Sequence, residues 1–228
     1  VTLQPLALRL LVACLRDEVG LEEALANNAV ETCITLLASF DTSVKREAAS
    51  CLGRLCFAEA AKVTAIKGGA VPQLVDLMRD REVSERARGR RARSRRRSRS
   101  LSHPPPVPPR VRAPPHPPQL GVRVAAVGAL MTITTTDNGK KAIVPNDEIT
   151  DDEKDGVPLL MQLLKEDDVQ LKLNVLKCMA NVAVHPVARE KFKAETGNLR
   201  LINELCAADL PLLKKHAEIT KKAVLWKP

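Results

Sequence analysis

The chain has 228 residues, of which 45% are apolar but only 2% aromatic, with three Phe, one Trp and no Tyr. A core short of aromatics must be filled by Leu, Val, Ile and Ala, which argues against a sandwich or barrel and for packed helices. The formal charge of +9 is local: residues 83–119 hold eleven Arg, one Glu and no Lys, so the other 191 residues carry −1. No apolar run reaches the roughly 18 residues of a membrane span. The apolar start, VTLQPLALRLLVACLRDE, lacks Met, a basic lead-in and a small-residue cleavage site. It is expected to be the interior of a longer protein rather than a signal peptide.

In chain order, a long apolar segment ending in LVACL at Leu15 comes first, followed by the short LEEALANN. NNAVETCITLLASFD (from Asn27) and VKREAASCLGRL (44–55) come next. The pattern then recurs as AAKVTAIKGG, KGGAVPQLVDLMRD (from Lys67) and, beyond residues 83–119, VRVAAVGALMTI (122–133). It recurs again as NGKKAIVP, EKDGVPLLMQLLKED (from Glu153) and LKLNVLKCMANV (171–182). VAREKFKAETG, AETGNLRLINELCAAD (from Ala194) and HAEITKKAVLW (216–226) close the chain. Val30, Val71, Val157 and Leu199 align, and the residues three and six later (Cys33, Leu74, Leu160 and Ile202; Leu36, Leu77, Leu163 and Leu205) are all apolar, which is one face of a helix. Gly69, Gly156 and Gly197 precede these helices, and Pro72 and Pro158 fall in first turns, where a missing N–H costs nothing.

The unit predicted is a short helix, a helix and a long helix, repeated about four times. The interval of 78 residues between Cys51 and Ala129 falls to 41 once residues 83–119 are removed, which places an insertion inside one repeat. The chain divides accordingly into N-terminal repeats (1–82), the insertion (83–119) and C-terminal repeats (120–228).

The insertion contains nine Pro and four residues in all from Val and Leu. Such a stretch buries too little apolar surface to offset chain entropy and is expected to be disordered. Three readings stand side by side. The Arg-rich RRARSRRRSRS fits a basic arm that binds nucleic acid, directs nuclear import or is switched by phosphorylation at Ser94, Ser98 and Ser100, with PPPVPPR as an SH3-type ligand. A solvated natural loop is the second. The third, which we prefer, is a retained intron. Lys outnumbers Arg sixteen to nine outside the segment, while inside it Lys, Asn, Ile, Phe, Met and Thr are absent together, as in translated GC-rich non-coding sequence. Val83-Ser84 can be encoded by an intron start and Gln119 by an intron end.

Nothing in the sequence points to catalysis: there is no phosphate-binding Gly-rich loop, nucleophile elbow or HExxH, so the expectation is a non-enzyme without cofactor or metal. His103 and His116 lie in the insertion, His185 precedes Pro186 and His216 opens the last helix. The six Cys (14, 33, 51, 56, 178 and 206) include no CxxC and sit in apolar stretches, where free thiols act as small buried hydrophobes in a reducing, intracellular compartment. The loop NDEITDDEKDG (146–156) imitates calcium positions 1, 3, 5 and 6 with Asp151, Glu153, Asp155 and Gly156, but position 12 is Gln162, which supplies no carboxylate.

GGAVPQLVDLMRD followed by VRVAAVGALMTI resembles the second and third helices of the armadillo repeat family, and the likeness covers nearly everything outside the insertion. HEAT repeats are the structural alternative. The resemblance implies an all-α, right-handed armadillo-type α-solenoid whose third helices line a concave groove that grips a partner protein, commonly with a ladder of Asn. The Asn column then holds Arg54, Thr132, Asn181 and Trp226, and the column four earlier holds Ser50, Gly128, Lys177 and Lys222. Candidate groove contacts are Ser50, Arg54, Thr132, Asn174, Lys177, Asn181 and Lys222. Only Asn181 keeps the ladder, and no Trp stands in the column where the nuclear import receptors carry one, which argues against import-receptor function. GALMTITTTDNGKKAI (128–143) and AVLWKP (223–228) further resemble the armadillo-repeat radial spoke proteins of motile cilia and flagella. That likeness implies a scaffold in the axoneme with other spoke subunits as partners. The alternative is a cytoplasmic or nuclear adaptor whose basic arm matters.

Overall fold

The computed structural model describes residues 3–79, 118–144, 155–194 and 196–227; the expectation for the insertion lies almost wholly outside them, as does most of the acidic loop. Among the described residues there are thirteen helices and no strand. They are α1 (Leu3–Cys14), α2 (Glu18–Ala26), α3 (Ala29–Leu37), α4 (Thr42–Leu55), α5 (Glu59–Lys67), α6 (Ala70–Met78) and α7 (Pro118–Ile133). The remainder are α8 (Asp137–Ile143), α9 (Gly156–Leu163), α10 (Val169–Val182), α11 (Pro186–Ala194), α12 (Thr196–Cys206) and α13 (Pro211–Leu225).

Local chemistry sets the boundaries. The side chains of Asp41, Thr136, Asp155 and Asp168 each accept a backbone N–H at the start of α4, α8, α9 and α10, which satisfies a donor that the helix itself leaves orphaned. Asn28 and Gly69 enter α3 and α6 in the left-handed conformation, φ 54° and 73°, which suits Gly and is tolerated by Asn. Pro211 opens α13 in its first turn. Helix α7 begins at Pro118, three residues before Gly121, after which the repeat pattern predicts it to start; Pro is tolerated in a first turn, so the helix runs back beyond its apolar repeat.

The long helices α1, α4, α7, α10 and α13 stack side by side, and α3, α6, α9 and α12 pack behind them. Helix α7 packs on α6, as its apolar spacing predicts, and more extensively on α4. Four positions on each of α4, α7, α10 and α13 make the seam. They are Val44, Ala48, Cys51 and Leu55 on α4; Val122, Ala126, Ala129 and Ile133 on α7; Leu171, Val175, Cys178 and Val182 on α10; and Leu213, Ala217, Thr220 and Val224 on α13. All sixteen are buried. Small residues among them let the helices approach closely: a Cβ on Gly53 would lie 3.3 Å from the Cα of Ala129.

The stack is also riveted by five polar bonds that run toward the chain's start. Cys51 donates to the Leu8 carbonyl (3.3 Å), Thr132 to that of Gly53 (3.3 Å), Asn174 to that of Val124 (3.2 Å), Asn181 to that of Met131 (3.1 Å) and Thr220 to that of Leu176 (2.9 Å). Each places a polar side chain between two helices only where a backbone acceptor meets it, as burial requires.

All the described cysteines are free thiols; Cys33, Cys51, Cys56 and Cys178 are buried as expected, Cys206 is half-buried and Cys14 is exposed. Cys14 ends α1 on its open side, so its apolar neighbourhood in sequence is not an interior. Burial pushes the Cys56 and Cys178 thiols up to about 12, and Cys51 rises as well through its hydrogen bond with Cys33 and its burial.

Candidate functional site

The buried seam fixes which residues of each long helix share a column on the opposite, open face. Taking the residue before Cys51, Ala129, Cys178 and Thr220 gives Ser50, Gly128, Lys177 and Ile219. Three residues after the same four come Arg54, Thr132, Asn181 and Ala223. One turn toward the start of each helix are Glu47, Ala125, Asn174 and His216. The first three members of the Ser50 and Arg54 columns are those expected from sequence, and the last member shifts by three residues. Lys222 instead shares the column of Gly53, Met131 and Ala180, which runs along the stack rather than into the open face. Trp226 follows α13 and lies over the Arg189 guanidinium, 4.8 Å from its ring centre. The apolar ending AVLW suggests a register that the start of the helix at Pro211 and the bond of Thr220 overrule.

The open face changes character along its length. At α4, Glu47 is clamped by Arg9 (2.9 Å) and Arg46 (2.7 Å), Ser50 is half-buried and Arg54 is exposed. At α7 the floor is small, with Gly121, Ala125 and Gly128; a Cβ on Gly121 would lie 2.9 Å from Arg46 Cδ and one on Gly128 3.3 Å from Asn174 Nδ2. Thr132 is buried and its hydroxyl is taken by the carbonyls of Ala129, Gly128 and Gly53. At α10, Asn174 is buried between Val124 and Gln170, whose Nε2 donates to its Oδ1 at 2.9 Å. Asn181 donates to Met131 and Thr134, and Lys177 is half-buried beside it. At α13 the same columns hold Leu212, His216, Ile219 and Ala223. The His216 proton affinity is lowered, first by burial and then by the charges of Lys177 and Lys215, which places three basic groups together.

The structure thus brings Ser50, Arg54, Lys177 and Asn181 to one continuous face, sets Thr132 and Asn174 as its internal braces and puts Lys222 to its side. Sequence reasoning missed Leu212, His216 and Ile219, which the N-terminal boundary of α13, set by Pro211, would have signalled. Among the described residues no group of three His, Cys, Asp or Glu could hold a metal ion, and no helix is long and apolar enough to cross a membrane. Asp155, which the sequence compares with a calcium ligand, caps α9 through the Val157 N–H (2.9 Å) and pairs with Lys191 at 2.7 Å.

No family profile and no curated protein matches the chain. Among solved structures, an engineered protein is similar over 97% of this chain and 72% of its own, with a TM-score of 0.68 and 21% identity. Computationally designed armadillo repeat proteins for modular peptide recognition match 95% of this chain and 74% of theirs, with a TM-score of 0.65 and 15% identity. A further designed armadillo repeat protein matches 94% and 80%, at 0.63 and 15%. The fold is an all-helical, armadillo-type α-solenoid.

Proposed function

We propose that this chain is a non-enzymatic scaffold that holds a segment of a partner protein along the open face of its long helices. The observation that carries the reading is the division of α4, α7, α10 and α13 each into a wholly buried seam and an open column, with Gly121, Ala125 and Gly128 forming a low floor between Arg54 and Lys177. Concave surfaces of repeat stacks serve as extended binding surfaces. The peptide recognition for which some similar proteins were designed agrees with this reading. Within the class, we propose an axonemal role among radial spoke subunits, supported by the resemblance of residues 128–143 and 223–228. The second reading, an adaptor of cytoplasm or nucleus, rests on the eleven Arg of residues 83–119.

A photo-crosslinking residue placed in turn at Arg54, Lys177 and the exposed Glu31 of α3 tests both levels. In ciliary extract, the first two positions are expected to trap one shared protein that Glu31 does not. Equal trapping from Glu31 removes the groove reading, and a shared adduct that is no spoke subunit removes the axonemal role alone. Loss of nuclear entry on deleting residues 83–119 would favour the adaptor.

A further inference from the structure

The open face of α13 differs in kind from that of the other long helices. Where α4 presents Ser43, Glu47, Ser50 and Arg54, α13 presents Leu212, His216, Ile219 and Ala223. Steps of four, three and four residues form the stripe by which one helix packs along another. Leu212 and Ile219 remain 53% and 43% exposed, two turns apart on the same side. An extended segment would need a row of side-chain donors and acceptors for its backbone. The neighbouring candidates are already committed: the Asn174 and Asn181 amides to Val124 and Met131, and the Thr132 hydroxyl to carbonyls of α4 and α7. The stripe therefore offers apolar side-chain contact and little to hold an extended backbone. Its surroundings are basic. Residues 211–227 contain five Lys and one Glu, and Lys177 and Lys215 both act on His216 within the stripe.

We propose that the stripe on α13 docks an acidic amphipathic helix of the partner, with apolar residues at heptad spacing on Leu212, Ile219 and Ala223 and carboxylates against Lys177 and Lys215. This inference rests on the scaffold reading and gives the bound segment a conformation and a charge. Such helix-in-groove docking reads out apolar anchors on one face and leaves charge to fix orientation.

The test uses the full chain and two dye-labelled peptides, followed by fluorescence anisotropy below their self-association concentration. One is a helix-forming peptide of about 21 residues with Leu at heptad positions a and d and Glu at e and g. The other has the same sequence except for central Pro substitutions, away from the a, d, e and g positions, that break its helix. The helical peptide is expected to bind about tenfold or more tightly than the broken one, and Ile219→Asp or Lys215→Glu to weaken it by a similar factor. Both positions are exposed, so melting temperatures should be unchanged, which separates lost binding from lost fold. No binding of the helical peptide, equal binding of the two, or undiminished binding to Ile219→Asp overturns the proposal. So does binding to anionic vesicles in place of the peptide. If crosslinks from Arg54 and Lys177 persist while the helical peptide fails, only this inference falls; if both are lost, the scaffold reading falls with it.

Discussion

Gly20 and Gly139 sit six residues beyond the last residue of α1 and α7, and a methyl group at either would press on the backbone carbonyl of Cys14 or Ile133. The same position holds Ala61 in α5 and Ala188 in α11, both buried, so the turn accepts a methyl group where the surrounding backbone is set for it. Gly139→Ala is expected to cost about 1–2 kcal/mol and Gly139→Val at least about 3 kcal/mol in urea unfolding, because the larger side chain must displace backbone. Equal midpoints for Gly139→Val and the parent protein would mean that the turn is looser than its geometry.

His216 supplies a pH dependence with a definite sign. Burial, Lys177 and Lys215 lower its affinity for a proton in the folded chain below the ordinary value of 6.5. The unfolded chain thus binds the proton more readily, and stability must fall as pH drops through 6.5, levelling off once the folded state is protonated too. The slope should shrink in His216→Gln and in Lys177→Gln when unfolding midpoints are measured between pH 5 and 8, about the range over which an ordinary His changes charge. A slope unchanged in both variants would assign the dependence to other groups.

Among the elements, α4 and α7 form the tightest joint, where Gly53 faces Ala129. Ala129→Arg puts a charge into a contact with no room and no counterion, so a loss of about 3–5 kcal/mol is expected by calorimetry. Retention of the parent melting temperature would show that the two helices are not in this register. That joint is also where the sequence is most informative. Val122, Ala126, Ala129 and Ile133 announce a helix face by spacing alone, and the match with Val44, Ala48, Cys51 and Leu55 fixes the repeat. Polar residues were harder to place. An Asn in a groove column looks the same on paper whether its amide meets a ligand or a neighbouring carbonyl; only the 50-residue separation between Asn181 and Met131, closed by packing, decides it. The register of the last helix is obscured in the sequence for a related reason. AVLW is an apolar run that imitates a repeat column, while the burial of Leu213, Ala217, Thr220 and Val224 that sets the true register is a tertiary fact.

The whole molecule is a one-dimensional stack in which each unit is stabilised by its neighbours, so stability should vary along it. The long helices α4, α7 and α10 are sandwiched on both sides and hold most of the seam. By contrast α1 buries only Leu8 and α2 only Ala24. Their link to the rest runs through the packing of α1 on α4, the Cys51 and Arg9 bonds between those two helices and modest packing of α2 on α3. Opening α1 and α2 therefore breaks one long-helix joint, whereas opening α7 disrupts two at once. Native-state hydrogen exchange of this chain should show the slowest amides in α4, α7 and α10 and the fastest helical amides in α1 and α2, since local opening follows buried contact density. Substituting Leu8 by Ala should speed exchange in α1 and α2 while leaving α10 and α13 unaffected, because a nearest-neighbour stack transmits little beyond the adjoining unit. Uniform acceleration in all thirteen helices would instead show that the stack opens as one cooperative body.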